Sequence, residues 1–440
     1  MEWPLVLMLI FGSLVVLMML GIPIAVCFLL VNIVGVFFLW GGEIGLGQLI
    51  LSIRDSVTSF TLLPIPLFIL MGEVMFHSGV ATRMMDTLDM LLGRLPGRLG
   101  LIAVGGGTLF STLSGSSMAS TAMLGATLVP EMEKRGYKKP MSLGPILGSG
   151  GLAVMIPPSA LAILLGTIGE ISIGKILIAI ILPGLLMAIL YAAYIILRCR
   201  LQPSVAPSYE VRTIAILDKL LASVRYILPL GLVIFLVIGV IFLGVATPSE
   251  AAATGTLGTF ILAFLYRGLN WDTVKKSFSG TLNISVMILM IFVGARAFSQ
   301  ILAFTGATRG LMDFATGLPL APIVLIIVMQ VVLLIMGMFM SIVAIMMITL
   351  PMFVPIVAAM GFDPVWFAAI YLLNMEMAGT TPPFGMNLFA MKGASPPDTT
   401  MGQIYRAALP FLYCDAIAMA LLIAFPSIAL WLPSLMRPVQ

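Results

Sequence analysis

Two proline pairs, Pro157-Pro158 and Pro382-Pro383, sit inside apolar runs long enough to cross a bilayer. Proline lacks the backbone N–H that a helix needs and crowds the carbonyl one turn upstream, so each pair interrupts its helix. Broken backbone at membrane depth survives only where it is buried in protein or lines a cavity. The chain must therefore wrap two broken helices in intact ones. The pairs lie 225 residues apart, and the same offset carries Pro130 onto Pro355 and Gly136 onto Gly361. Just upstream, Ser78-Gly79-Val80-Ala81-Thr82-Arg83 echoes Thr305-Gly306-Ala307-Thr308-Arg309. These landmarks predict an internal repeat.

Composition agrees with a membrane chain. It is 61% hydrophobic and 9% charged, with mean hydropathy +1.17. Soluble domains carry about 25% charged residues, so a water-soluble enzyme is excluded, and so is a disordered chain. The 22 basic residues form no stripe, which excludes nucleic-acid binding. Cys27, Cys199 and Cys414 are isolated and His77 is the single histidine, so no disulfide framework or histidine metal site is expected. The first 20 residues hold Glu2 and no basic n-region, and read as a transmembrane helix rather than a leader.

Apolar runs predict spans at 4–21, 23–41, 60–78, 141–169, 172–199, 226–246, 250–266, 281–303, 364–391 and 405–434. Residues 100–133 and 319–355 differ. Each is too long for one span and is broken near its middle, by Ser111–Ser117 and by Gly337–Ser341. Re-entrant hairpins fit them. Amphipathic arms precede both, Val80–Leu99 and Thr308–Gly317. Arg94 and Arg98 are expected to ride on anionic membrane lipid. Gly244–Glu250 reads as a packed turn and His77 as structural. The fold expected is an all-α polytopic membrane protein of two repeats. Each has three transmembrane helices, an arm, a hairpin, a discontinuous helix and a final helix. Lys134, Arg135, Lys138 and Lys139 mark the cytoplasmic side. On that topology only Arg54, Lys175, Arg309 and Arg437 fall outside, and Arg296 lies within a span. Each half has an odd number of crossings, so the repeats are inverted and both termini lie outside.

Inverted repeats with interrupted helices are the pattern of secondary transporters. A broken helix exposes N–H groups suited to a carboxylate and carbonyls suited to Na⁺. No GxxxxGK[ST] sequence is present, so energy comes from an ion gradient or another subunit. Acids within spans are few: Glu73, Glu376 and Asp415. Sites of neutral oxygens therefore favour Na⁺ over a proton relay. Arg296 either meets a substrate carboxylate or pairs with Glu73 or Glu376.

Several segments carry a resemblance. Leu63–Gly72 (LPIPLFILMG), Ser114–Ser117 (SGSS), Ile156–Ser159 (IPPS), Gly244–Ala252 (GVATPSEAA) and Thr380–Leu388 (TTPPFGMNL) appear in order along the whole chain. It resembles the large membrane subunit of TRAP transporters, the tripartite ATP-independent periplasmic carriers of the ion-transporter superfamily. That resemblance implies a Na⁺-driven elevator carrier in the inner membrane of a bacterium or archaeon. It implies import of organic anions such as C4-dicarboxylates or sialic acid. A periplasmic substrate-binding protein would deliver them, beside a separate small four-helix membrane subunit. It also implies a division of the chain. Scaffold helices would occupy 1–79 and 226–303, arms 80–99 and 304–318, and a cytoplasmic linker 200–225. The transport domain would comprise 100–199 (hairpin 100–133, discontinuous helix 141–169) and 319–440 (hairpin 319–355, discontinuous helix 364–391). By motif, one Na⁺ site would use Ser111, Ser114, Ala153, Ile156 and Pro158. A second would use Gly337, Ala378, Thr381 and Phe384. Substrate would lie near Ser114, Ser116, Ser159, Arg296 and Asn387. Family members often have glycine where Ala153 and Ala378 stand, which leaves a carbonyl ligand possible. A stand-alone divalent-anion:Na⁺ symporter of the same superfamily is the alternative reading, and a channel or structural membrane protein a more distant one.

Overall fold

A computed structural model of the chain describes residues 2–91, 95–114, 117–207 and 215–437, with the side chains of 81–82 and 110–114 outside that description. The described residues are helical and contain no strand. The first half runs α1 (Trp3–Met19), α2 (Ile24–Leu39), α3 (Glu43–Val57), α4 (Pro64–His77), α5 (Val80–Leu91), α6 (Arg98–Ser114), α7 (Ser117–Lys134), α8 (Lys139–Gly151), α9 (Ala160–Ile168), α10 (Ile173–Ala179) and α11 (Ile181–Leu201). Helix α12 (Ile216–Ala222) leads through one wide turn into the second half. That half runs α13 (Leu228–Phe242), α14 (Pro248–Leu265), α15 (Trp271–Phe304), α16 (Ala307–Thr316), α17 (Pro322–Gly337), α18 (Ile342–Ala359), α19 (Pro364–Thr380), α20 (Met386–Ala394), α21 (Met401–Ala424) and α22 (Ser427–Ser434).

The repeat reaches the helix boundaries. Helices α1 and α13, α7 and α18, and α8 and α19 each begin 225 residues apart. Both proline–proline bonds are cis. The halves also embrace reciprocally. Helix α2 packs on α15 while α14 packs on α4, and α7 packs on α20 while α18 packs on α9. Arm α16 lies on α1, and arm α5 lies on the turn before α13. The protein is an all-α membrane fold of two inverted repeats. Among the described residues, six helical stretches are long and apolar enough to span a bilayer: Phe60–His77, Ile173–Leu201, Ile216–Phe242, Trp271–Phe304, Ile342–Ala359 and Met401–Ala424.

Several local expectations change. Helix α3 was not foreseen, because Glu43, Gln48, Arg54 and Asp55 break its apolar run. The third crossing of the first repeat is therefore α3 and α4 joined by a 3₁₀ turn, Phe60–Leu62. Its counterpart α15 is one 34-residue helix. The run 405–434 divides at Pro426 into α21 and α22. Arg98 does not ride on lipid. It is buried and pairs with Asp89 at 2.8 Å, tying the arm to the first hairpin; Arg94 lies outside the described residues. The Gly244–Glu250 turn is a helix start. Thr247 and Glu250 form a capping box, each side chain bonding the other's backbone N–H. His77 meets Glu73 at 3.3 Å.

Candidate functional site

Helix α8 stops at Gly151, and the backbone is non-helical from 152 to 159. The cause is local. In a continuous helix the N–H of residue 157 would bond the Ala153 carbonyl and that of 158 the Val154 carbonyl. Both positions are proline and have none to give. Among the described residues no donor reaches the carbonyls of Ala153, Ile156 or Pro158. Ser159 closes the break: its Oγ accepts from the Ala162 N–H at 3.3 Å and caps α9.

The second break repeats this with differences. Helix α19 ends at Thr380, and α20 starts at Met386. Thr381 Oγ1 donates to the Met377 carbonyl at 2.6 Å. The Thr381 carbonyl accepts from the Gly385 N–H at 3.1 Å, and that of Ala378 from the Thr381 N–H at 3.4 Å. Each keeps a second lone pair. The Gly379 and Phe384 carbonyls meet no described donor. A Cβ added at Gly385 would meet the Gly379 and Thr381 oxygens at 2.7 and 2.8 Å. Glycine there lets the chain turn back against two carbonyls, where any side chain would collide with them.

The second hairpin tip closes on this break. A Cβ on Gly337 would collide with the Ala378 Cβ, so glycine lets α17 touch α19. Phe339, beyond the end of α17, stands against Phe384 with ring centroids 6.0 Å apart. Phe384 in turn stacks on Phe389 at 6.4 Å. Asn387 is 1% exposed, and its Nδ2 has no partner among the described residues. It lies 3.2 Å from where a Gly379 Cβ would stand. An orphaned buried N–H₂ beside a broken helix is a donor suited to an anion. In the first hairpin, Ser111 and Ser114 fall in the last turn of α6, with side chains outside the description; Ser116 lies outside the described residues. Around them α6 and α7 close on α8. Gly107 abuts Ser149, and Gly150 abuts Thr121.

Sequence reasoning missed some supports. Tyr405 on α21 donates to the Pro383 carbonyl at 2.8 Å and pins the second break. Asn374 on α19 donates to the Gln330 carbonyl and to its Oε1 on α17, at 2.8 and 3.0 Å. At the start of α8 Lys139 meets Glu133 at 2.9 Å and Asp398 at 3.1 Å, and Lys392 donates to the Thr399 carbonyl. Burial alone would lower the Lys139 ammonium, but the two carboxylates outweigh it and hold its pKa above the ordinary lysine value.

Arg296 sits apart from both breaks and pairs with neither Glu73 nor Glu376. Its side chain is exposed and without an ion-pair or hydrogen-bond partner among the described residues. It lines a crevice of about 630 Å³ with Ser59, Thr61, Thr167, Glu170 and Ser299. None of the other residues chosen from the sequence lines that crevice. Glu170 holds φ +54°, a left-handed conformation uncommon outside glycine.

No group of three or more His, Cys, Asp or Glu suited to a metal occurs among the described residues. The breaks instead present neutral carbonyl oxygens. Comparison with known proteins decides the family. The profile of the family described as tripartite ATP-independent periplasmic transporter, DctM component, matches residues 11–428. The chain belongs to this family. It is 32% identical over 390 residues to the C4-dicarboxylate TRAP transporter large permease protein DctM of Pseudomonas aeruginosa, covering 88% of this chain and 89% of that one. It is 28% identical over 418 residues to the sialic acid TRAP transporter large permease protein SiaM of Vibrio cholerae serotype O1, covering 94% and 95%. Its fold is similar to that of the Alcanivorax borkumensis YdaH transporter, whose crystal structure has an unusual topology. The TM-score there is 0.64 at 16% identity, covering 90% of this chain and 91% of that one. The DctM-family chain is thus a large permease subunit and not an enzyme.

Proposed function

We propose that this permease is the membrane subunit of a Na⁺-coupled importer of small organic anions, carboxylates of the C4-dicarboxylate or sialic acid kind. The observation that carries the reading is the pair of broken helices. Each opens carbonyls at a proline pair, and the second is closed by a hairpin tip at Gly337 and Ala378. Na⁺, when bound, supplies positive charge at mid-membrane. The carbonyls of Ala153, Ile156 and Pro158 would hold one ion, with Ser111 and Ser114. The carbonyls of Ala378 and Phe384, Thr381, and the tip at Gly337 would hold a second. The Asn387 amide then offers a donor to a carboxylate on the same side, and Ser114, Ser116 and Ser159 are the remaining substrate candidates. Arg296 is read as a charge met by the anion in the crevice.

The relatives named for C4-dicarboxylate and sialic acid support the substrate class. The tripartite family supports two partners, a small four-helix membrane subunit on a separate chain and a periplasmic binding protein. The setting proposed is the inner membrane of a bacterium or archaeon, with both termini periplasmic. An elevator motion of the hairpins and broken helices (100–199 and 319–440) against the helices of 1–79 and 226–303 would move the site between faces.

The test is uptake of labelled carboxylates by the chain reconstituted with both partners, with and without a Na⁺ gradient. Uptake driven by Na⁺ and dependent on the binding protein supports the reading. Na⁺-driven uptake indifferent to the binding protein converts it to a stand-alone symporter. Uptake indifferent to Na⁺ sinks it.

A further inference from the structure

One contact pairs residues separated by the repeat offset itself, and another falls one residue short of it. Gly151 and Glu376 are 225 apart in sequence, and Tyr191 and Asp415 are 224 apart. Gly151 lies against the Glu376 carboxyl, with no room for a Cβ between them. Tyr191 donates to Asp415 Oδ1. Residues related by a two-fold axis touch each other only when they lie next to it. The axis of the inverted repeat therefore passes between α8 and α19 and between α11 and α21. The carboxyls of Glu376 and Asp415 sit beside that axis and within hydrogen-bonding reach of each other.

This is a buried acidic site with no ion-pair partner among the described residues. Glu376 and Asp415 are each 1% exposed. Neither carboxylate oxygen of Glu376 has a hydrogen-bond donor among the described residues. The groups facing the pair are Tyr191 from α11 and Cys414 from α21. Of the elements packed on α19 and α21, α17, α18 and α22 carry no Lys, Arg or His, while α10 carries Lys175, α11 Arg198 and Arg200, and α21 itself Arg406, none of them ion-paired with either acid among the described residues. Lys139 and Lys392 are held by Glu133, Asp398 and Thr399. The C-terminal end of α8, the negative pole of its dipole, also points at Glu376. Burying a carboxylate this way is costly unless positive charge arrives.

The two breaks flank this point at equal sequence distance. Ala153 is two residues past Gly151, and Ala378 two past Glu376. We propose that Glu376, held in place by Asp415 and Tyr191, is the shared counter-charge of both cation sites and sets their affinity for Na⁺. It acts through space as a positioning residue, since the sites themselves are built of neutral oxygens. One carboxylate on the axis serves two sites, which explains why its repeat-mate is a glycine. A second acid at 151 would collide with it.

The inference rests on the Na⁺ reading, and the experiment separates the two. The purified full-length permease is titrated with NaCl against choline chloride at constant ionic strength, and its unfolding temperature is read. Wild type is expected to show a saturable rise with Na⁺. Glu376→Gln is expected to raise the half-saturating Na⁺ concentration about tenfold or more, the change from removing a charge in a low-dielectric site. In choline it should unfold at or above the wild-type temperature. Glu376→Asp should recover part of the affinity. A purely structural role would lower the choline baseline and leave half-saturation unchanged, and that result overturns the proposal. If Glu376→Gln gives no folded protein, Asp415→Asn and Tyr191→Phe decide, since each should shift half-saturation the same way; wild-type values in both overturn it. A wild type insensitive to Na⁺ refutes the Na⁺ reading itself.

Discussion

The two broken helices share a backbone plan and differ in side-chain load. Helix α8 reads Leu143-Gly144-Pro145-Ile146-Leu147-Gly148-Ser149-Gly150-Gly151, and its neighbours press onto bare backbone. A Cβ at Gly148 would meet the Phe411 ring at 2.6 Å, and Gly150 lies against Thr121. Helix α19 is the reverse. It is aromatic at Trp366, Phe367 and Tyr371, carries Asn374 and Glu376, and is buried from Val365 to Thr380. Where one repeat is hollow the other fills it. An inverted pair that meets along its own axis cannot place bulk at both copies of a position. The carbonyls differ as well. Those chosen in the first break take no described bond, while two of those in the second each take one.

The comparison breaks most readily at Gly151. Gly151→Val puts side-chain atoms where the Glu376 carboxyl stands, and overpacking without escape costs about 3 kcal/mol. Folded, monodisperse protein is expected to disappear from size-exclusion profiles. Gly393→Ala, which meets open space on α20, should leave the profile intact. Next is the second hairpin tip. Gly337→Ala is expected to cost about 1–3 kcal/mol and to cut uptake, because its methyl strikes Ala378. The double variant Gly337→Ala with Ala378→Gly should recover both, and a double-mutant cycle on unfolding temperature and uptake measures that coupling. A smaller effect distinguishes two caps. Ser159→Ala and Ser341→Ala each remove a side-chain acceptor from a helix start, at 3.3 Å in both. Each should cost about 1 kcal/mol in unfolding. If Ser159 also meets substrate, its variant alone should raise KM.

The smallest effect lies at the exposed start of α14. The Thr247 backbone N–H and hydroxyl bond the Glu250 carboxylate and hold its pKa below the ordinary glutamate value. A group lowered on folding stabilises above its unfolded pKa and loses that contribution as pH falls through the folded value. Unfolding temperature should therefore fall slightly from neutral to acid pH, and Glu250→Gln should remove that part of the slope.

Much of the plan was legible because prolines and glycines punctuate it. Pro157-Pro158, Pro382-Pro383 and the 225 offset located both breaks and the repeat before any helix was drawn. Helix α3 was hidden because its charges interrupt the apolar run by which spans are read. Tyr405 was hidden because a tyrosine in a helix gives no sign of a carbonyl 22 residues away. The Glu376–Asp415–Tyr191 cluster was half legible. Both acids stood out within apolar runs, but their meeting depends on where the axis falls. The offset held that information, for a contacting pair one repeat apart can lie only there. Arg296 was found as a charge within a span; its separation from both breaks depends on packing between the repeats.

The third crossing gives the molecule one stiff member and one jointed one. Helix α15, at 1.5 Å per residue, is about 51 Å long, more than a bilayer with its headgroup layers at about 40–45 Å. It must lean across the membrane like an oblique beam, and Arg296 is fixed to it at one depth. Its counterpart bends at 58–63, leaving a gap of about 320 Å³ between that joint and Ser285–Leu289 of the beam. Ser59 and Thr61 on the joint face Arg296 and Ser299 across the larger crevice. The two walls thus differ in compliance. Crevice width is set by how the joint flexes, while the height at which an anion meets positive charge is set by the beam.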